Sequence, residues 1–528
     1  MTDEQAVNPY ADRLPDRLVD HAEWQRLDPL MLLVHPIREV GRFLVPLIGI
    51  LVAGSASGGH DWWWNVIGIA IPVALGVARY VTTSFRIAGG RVELRRGLLN
   101  KHVLSTPIDR VRTVDITASP IHRVLGLTTV RIGTGTASKK GEDELDLDGV
   151  RTRAAAALRS DLLHGTPEAR ERATEADNTR PVVRFDPGWL RFAPFTSSGL
   201  VIAAAVLGGG SQVLNGLGLW DQLPIDTTAE RAARLSLLLL VPVALLGLAL
   251  VASVLAVLGY LVTNYGFTLV YTRADHAWHL RRGLLTTRET SMDATRLRGV
   301  SLGEPLGLRL ASGARLSAIV TGLDRDERGS GTLVPPAPRD LVAGVAVQVL
   351  GTPEPVTAPL VAHGPAATRR RYTRALVVPA LVTVAATTLA FTADVPWETV
   401  LLGPLALAAG YGLAVDRSRT LGHALVGGHL VSRAGSLVRR RVALETPAVI
   451  GWTFSDTWFQ RRVGLTTLVA TMAGGRQSVT VLDVPAPVGT ALARDAVPGL
   501  VEQFLVLGDE GPAGRVLEVP PEVAEPDA

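Results

Sequence analysis

Leu235-Ser-Leu-Leu-Leu-Leu-Val-Pro-Val-Ala-Leu-Leu-Gly-Leu-Ala-Leu-Val-Ala-Ser-Val-Leu-Ala-Val-Leu-Gly-Tyr-Leu-Val262 runs its whole length without a charged side chain. A helix needs about 20 apolar residues to cross a bilayer, and one Arg at its centre would cost roughly 3 kcal/mol. The stretch therefore reads as a membrane span. Composition agrees. Only 19% of the 528 residues are charged and 47% are hydrophobic, with mean hydropathy +0.26, whereas soluble chains carry about 25% charge.

Five further apolar segments extend the reading outward. They cover about Phe43–Gly58, Trp62–Val81, Phe195–Trp220, Ala375–Thr392 and Val400–Val415, and with Leu235–Val262 they make three pairs. Residues 1–28 are polar and acid-rich, unlike a secretory signal, so the first segment is expected to stay as an anchor. Arg38 and Arg42 precede the first span, and Arg79, Arg86 and Arg91 come after the second. Arg369, Arg370, Arg371 and Arg374 precede the fifth, and Arg417 and Arg419 come after the sixth. The connectors near Ser57–Asp61 and Ala393–Glu398 contain neither Lys nor Arg. The positive-inside rule then predicts that both termini and all long loops lie in the cytoplasm. Arg231 and Arg234, on the outer side of the middle pair in this scheme, fit less well. Trp62, Trp63, Trp64, Trp220 and Trp397 stand where interfacial aromatics belong.

The segments between and after the pairs repeat. Phe85–Leu99 and Tyr271–Leu285 both end in Arg-Arg-Gly-Leu-Leu, at 95–99 and 281–285, and His429–Leu437 is a looser third copy. Each reads as two strands around a Gly-containing turn. Arg123-Val-Leu-Gly-Leu-Thr-Thr-Val130 corresponds to Arg462-Val-Gly-Leu-Thr-Thr-Leu468, with Glu304–Arg309 as the weaker middle copy. Each unit closes with a short strand leading into a helix: Leu145–Val150 into Thr152–His164, Gly331–Val334 into Arg339–Leu350, and Val479–Val484 into Val488–Leu507. A β-rich unit ending in one amphipathic helix predicts a small, strongly bent sheet or barrel whose open side the helix covers.

These motifs resemble the bacterial pleckstrin-homology-like (bPH2) membrane proteins of the YdbT type over nearly the whole chain. The resemblance implies an α+β membrane protein with three transmembrane hairpins alternating with three pleckstrin-homology-like domains. Each domain would be a seven-stranded bent sheet capped by a C-terminal helix. It also implies residence in the bacterial plasma membrane, pairing with a shorter relative that has one hairpin, and for some members tolerance of membrane-active antimicrobial peptides. The expected plan is an N-terminal interfacial segment at 1–42, hairpins at 43–82, 195–263 and 375–416, and domains at 83–164, 264–351 and 417–507. Linkers fall at 165–194, whose Phe185–Phe195 part with Trp189 reads as interfacial, and at 352–374. A polar, acid-rich tail occupies 508–528.

Chemistry has little foothold. Cys is absent, and His276 and His279 near a turn lack the helical spacing of a zinc pair. No nucleophile elbow, phosphate loop or dinucleotide fingerprint occurs, so the expectation is no enzyme, no cofactor and no metal. A net charge of +4 spread over the chain argues against nucleic acid. A transporter is the rival reading for six spans, but the spans lack internal ionisable residues and instead carry small-residue stripes such as Ala70/Ala74/Ala78, Ala406/Gly410 and Ala408/Gly412. The remaining candidates are the basic turns: Arg95, Arg96 and Lys101 in the first unit, Arg281, Arg282 and Arg288 in the second. Ordinary surface charge accounts for them, as does contact with anionic headgroups, which attract each basic residue by about 1 kcal/mol. The function expected is that of a scaffold or adaptor, with the bilayer, a shorter relative or a second copy as partners, in a setting of envelope stress.

Overall fold

The computed structural model describes residues 21–32, 34, most of 74–96, 102–108, 111, 113–133, 145–164, 181–196, 208, 237–273, 276–321, 331–392, 397–473, 478–504, 506–507 and 517–518. The first apolar segment, most of the second and third, Lys101, the 165–180 linker and nearly all of the tail lie outside the described residues. Two compact units divide the chain: Met1–Phe185 with Ser198–Ala294, and Asp186–Ser197 with Thr295–Ala528. The boundary at Ala294 falls inside the second repeat.

In the first unit, β1 (His21–Arg26), β2 (Ser84–Ala88), β3 (Arg91–Arg96) and β4 (His102–Pro107) form an antiparallel sheet in that order. β5 (Thr113–Ala118), the short helix α1 (Pro120–Val124), β6 (Leu127–Gly133), β7 (Leu145–Arg151) and α2 (Thr152–His164) complete the first repeat. Strand periodicity is plain in β6, where Val130 and Ile132 turn inward and Arg131 outward. The core gathers Leu94, Val114, Leu127, Ile132, Leu145 and Leu158 between the sheets and α2.

A second sheet is not confined to one repeat. After the apolar helix α3 (Leu237–Asn264) come β9 (Thr268–Thr272), β10 (Ala277–Arg282) and β11 (Thr287–Asp293), with β8 (Pro181–Arg184) alongside β9. The order of this seven-stranded sheet is β7-β6-β5-β11-β10-β9-β8. Strands of the first repeat thus continue into strands of the second through β5 and β11, whereas the sequence pattern predicts units that close on themselves.

The second unit repeats the device. β12 (Leu297–Pro305), helix α4 (Leu306–Leu310), β13 (Gly313–Val320), β14 (Thr332–Pro338) and α5 (Arg339–Leu350) precede the helical pair α6 (Gly364–Thr392) and α7 (Leu402–Thr420). β15 (Gly422–Val426), β16 (His429–Ala434) and β17 (Val438–Glu445) then join β12, giving the order β14-β13-β12-β17-β16-β15. β18 (Val449–Ser455), helix α8 (Trp458–Arg461), β19 (Leu465–Met472), β20 (Ser478–Pro485) and helix α9 (Ala486–Ala496) finish the third repeat, with β18–β20 as a separate three-stranded sheet.

Among the described residues three helices are long and apolar enough to cross a membrane: Leu246–Asn264 within α3, Gly364–Thr392, and Thr399–Thr420. α6 and α7 pack closely because glycine lets them. A Cβ at Gly403 would stand 2.7 Å from Thr383 Cγ2, and one at Gly410 2.5 Å from Pro379 Cγ. Gly412 meets nothing within 4 Å, so only the stripe through Gly410 serves the contact.

Several expectations from sequence are corrected. Trp24 lies in β1, half-buried under the guanidinium groups of Arg86 and Arg95, 4.7 and 5.9 Å from its ring centroid. Its segment is an edge strand there, since hydrogen bonding to β2 satisfies the backbone. Pro187–Phe195 is a 3₁₀ helix with Trp189 and Phe192 buried, so these aromatics serve a core and not an interface. The last helix is shorter than Val488–Leu507, because α9 stops at Ala496 just ahead of Pro498, which has no amide proton to continue it. The middle counterpart of Gly126 and Gly464 is Ser312. All three come after the short helix with positive φ (68°, 66° and 57°), whereas Gly307, the residue picked out by a Leu-Gly-Leu match, lies within α4.

The turns after β10 and β16 require glycine. Gly283 and Gly435 have φ of 112° and 99°, and a Cβ there would overlap Thr286 O and Val438 O. Gly435→Ala should destabilise the third repeat by about 1–3 kcal/mol through this strain. Gly428→Ala, at φ 71° with open space around it, should cost only about 1–2 kcal/mol. Denaturant midpoints of the detergent-solubilised chain test the ranking, and equal effects would show that the collision with Val438 is relieved by backbone movement.

Candidate functional site

Two features connect the apolar helices to the sheets. At the end of α3, the amide of Gly283 donates to Tyr265 O at 2.9 Å and that of Leu284 to Val262 O at 2.9 Å. Orphan carbonyls at a helix C-terminus are thereby capped by the Arg-Arg-Gly-Leu-Leu turn. At the end of α7 the equivalent turn does the same work differently: Thr420 Oγ1 donates to Gly435 O at 2.7 Å and Arg433 Nε to Thr420 O at 3.0 Å. Both turns therefore sit on the end of the preceding apolar helix.

The basic residues singled out by sequence do not converge on one patch. Arg281 is exposed, 3.3 Å from Glu289. Its neighbour Arg282 points to the other face, where burial, with Arg288 directly across the sheet, makes its guanidinium less basic than usual while Asp115 opposes the shift. Arg95 stacks on Trp24. Arg96 ends β3, and Lys101 lies outside the described residues. In the third repeat Arg439 is 3.0 Å from Asp416, and Arg441 donates to Pro355 O and Ala358 O at 2.9 and 2.8 Å. Those two arginines brace the fold.

Within the first unit lies a cavity of about 640 Å³, inside the range of small-molecule sites. Leu27, Leu94 and Ile121 form an apolar side, while His122, Arg131, Asp146, Asp148 and Arg288 supply polar groups. α1 brings His122 in, with Nδ1 2.6 Å from Ser119 Oγ and Nε2 3.2 Å from Asp148 Oδ1. Thr129 Oγ1 donates to that same carboxylate oxygen at 2.6 Å, and Arg131 clamps Asp146 through Nε and Nη2 at 2.7 and 3.1 Å. These groups satisfy one another, so the wall is preorganised and of mixed sign. Among the described residues no His, Asp or Glu cluster is arranged to hold a metal ion.

The third repeat fills the corresponding region with an ionic hub. Asp483, 2% exposed, takes positive φ (53°) at a strand bulge, where β7 has Gly149 (φ 86°). Its carboxylate lies 3.1 Å from Arg370 Nε and 2.6 Å from Arg371 Nη2, and it accepts from Gln460 Nε2 at 2.7 Å. Both arginines belong to the first turns of α6. His363 Nδ1 meets Leu482 O at 2.8 Å and His363 Nε2 meets His423 Nδ1 at 2.9 Å. Burial, then the neighbouring His363, pushes the His423 imidazole down to about 4, and burial likewise lowers His363. Helix α6 is thus tied to its domain by buried charge.

The joints between repeats are not visible in the sequence pattern. Arg123 Nη1 donates to Leu284 O at 2.9 Å, and Arg309 Nη1 donates to Ser436 O at 3.2 Å while gripping Asp416 at 2.8 Å with each Nη. The bond to Asp416 makes Arg309 still more basic. An Arg at this place on the short helix of each repeat, as Arg123, Arg309 and Arg461, is the available signal, but aligning the middle copy on its Leu-Gly-Leu hides it.

Comparison with known proteins agrees with part of this architecture. A family model described as a bacterial PH domain matches residues 38–166, which run through the first two apolar segments and the first β repeat. No curated protein and no solved structure matches the chain.

The hub can be probed in two ways. Asp483→Asn should lower stability by about 3–5 kcal/mol, since Arg370 and Arg371 would be left buried without a counter-charge. Gln460→Leu, which installs the residue found at the same place in the second repeat (Leu308), should cost about 1–2 kcal/mol. Denaturant midpoints measure both, and equal effects would remove the ionic argument. Acid provides the second check. Because His423 is harder to protonate folded than unfolded, its neutral form supports the fold fully above about pH 6.5, and that support is lost as pH falls towards 4. His423→Leu, the residue of the second repeat at this place (Leu269), should flatten the pH dependence of protease resistance in that window. An unchanged profile would assign the acid sensitivity elsewhere.

Proposed function

We propose that the chain is a non-enzymatic, multi-pass protein of the bacterial plasma membrane. It holds three PH-like repeats against the cytoplasmic leaflet as a scaffold for another membrane protein, in the manner of the YdbT-type proteins. The observation that carries this reading is the hydrogen bonding of the ends of α3 and α7 to the strands and turns of the sheets that come after them. A β repeat bonded directly to the end of an apolar helix has no slack to leave the headgroup layer. Leu285, 54% exposed, and the side chain of Arg281, 65% exposed, stand beside that junction, a pairing of apolar and cationic groups suited to an anionic interface.

Transport is less well supported. The charges near the end of α7 are engaged structurally, as Asp416 is by Arg309 and Arg439, and do not line a path. The mixed-sign cavity of the first repeat adds a place for a small amphipathic ligand or a partner side chain. Both termini are read as cytoplasmic, and the physiological setting as envelope stress or tolerance of antimicrobial peptides.

The natural absence of Cys makes a direct test available. Leu285→Cys should react with a membrane-impermeant thiol reagent in inverted vesicles and not in intact cells. A polarity-sensitive fluorophore on that Cys should shift to the blue when the full-length chain is reconstituted with anionic instead of zwitterionic lipid. Arg281→Glu should reduce the shift. Labelling from outside the cell would end the proposal. For the scaffold itself, purification in mild detergent should yield a second membrane protein in fixed stoichiometry, and its consistent absence would leave lipid contact alone.

A further inference from the structure

The two joints between repeats share one register. β5 meets β11 with Thr113 opposite Met292, Val114 opposite Ser291 and Ile116 opposite Glu289. β12 meets β17 with Gly299 opposite Leu444, Val300 opposite Ala443 and Leu302 opposite Arg441. Internal landmarks show that these are the same positions. Thr113, Gly299 and Gly451 each pair equivalently with the next strand, to Gly133, Ile319 and Thr471. Asp293 and Glu445 end the third strand of their repeats opposite the first residue of the second strand, and Pro107 does so in the first repeat. The arginine that locks each joint also repeats: Arg123 reaches Leu284 O, and Arg309 reaches Ser436 O.

A linear series of such joints leaves one unused half at each end. Among the described residues, β4 ends its sheet with a neighbour only in β3, and β18 ends its sheet with a neighbour only in β19. Burial reports the missing partner. Ile116 and Leu302, at the same strand position, are each 7% exposed in the completed joints, whereas Phe454 at that place in β18 is 42% exposed and Ile450 is 56% exposed. On the other half, Val103 of β4 is 54% exposed. The third locking arginine, Arg461, is present and exposed on α8.

We propose that β18 of one copy pairs antiparallel with β4 of a second copy, in the register already used twice inside the chain. Gly451 then stands opposite Thr106, Trp452 opposite Ser105 and Phe454 opposite Val103, and Arg461 faces the second copy as Arg123 and Arg309 face the next repeat. Two exposed apolar side chains become a cross-strand pair, and two open edges are closed by main-chain hydrogen bonds. The contact is heterologous, so it generates a ring where the rotation between copies closes and an open array where it does not. A second copy is the occupant that fits because its halves are complementary by construction: both joints consist of a first-sheet edge and a second-sheet edge, and among the described residues one of each remains.

Single-cysteine chains test this without background thiols. Full-length chains carrying Phe454→Cys and Val103→Cys, with different affinity tags and co-expressed in the membrane, should form a disulfide-linked heterodimer under mild oxidation. A chain carrying both substitutions should give a ladder of multimers. Val103→Cys with Leu310→Cys, an exposed residue off both edges (76% exposed), should link at least tenfold less. Ile450→Lys with Arg461→Glu, both at exposed positions, should abolish the linkage while leaving the melting temperature in detergent unchanged. The inference is overturned if the single-cysteine chains never link, if the control links equally, if the double variant yields only an internally closed monomer, or if Phe454→Cys captures a different protein in preference to its own kind. Topology labelling at Leu285 is independent of this result, so failure here and failure of the scaffold reading are separable.

Discussion

An open edge of a β-sheet is a row of unpaired amides and carbonyls, and the architecture of this chain depends on how it disposes of them. A repeat of this type has two small sheets and therefore several edges. Here the first strand of one repeat's second sheet and the third strand of the next repeat's first sheet satisfy each other, as β5 with β11 and β12 with β17. The repeats cannot be regarded as beads on a string of hairpins, because the sheet that packs one is continued by the next.

That continuity explains why the basic residues chosen from sequence scatter. A turn such as Arg281–Leu285 has three obligations at once. Its backbone caps an apolar helix, one of its carbonyls receives Arg123 from the preceding repeat, and its strands carry the joint. Side chains on successive residues then face different surroundings, so Arg281 meets solvent and Glu289 while Arg282 turns into a half-buried site near Asp115. Charge clustering along the chain says how many cations are present, and the pleat decides where they go.

Hydropathy and local pattern made the local structure legible. α3, α6 and α7 fall on predicted spans, and strand-to-helix closures such as β7 into α2 and β14 into α5 fall on the predicted residues. What could not be read was pairing between strands distant in sequence. β5 and β11 have ordinary amphipathic patterns that suit an edge as well as a joint, and nothing local in Thr113–Ala118 specifies a partner beyond a long apolar helix. The same limit applies to burial: Trp24 and Trp189 look like interfacial aromatics until the strand and the core that take them are known. Asp483 was invisible for another reason. Its importance comes from positive φ at a bulge and from two arginines more than a hundred residues upstream.

Shared scaffold and divergent chemistry meet at one position on the short helix of each repeat, held by His122, Leu308 and Gln460. The His lines a cavity and shares Asp148 with Thr129; the Leu is buried; the Gln hydrogen-bonds Asp483 and Thr467. The same backbone position thus borders a polar cavity in the first repeat, apolar packing in the second and, with Asp483, Arg370 and Arg371, an ionic anchor in the third. A buried ion pair is an inefficient way to gain stability, because desolvation offsets most of the attraction, yet it fixes geometry well. In the third repeat that geometry joins a domain to the helix α6, whose arginines cannot shift without uncovering charge. The first repeat keeps its polar groups at a cavity instead.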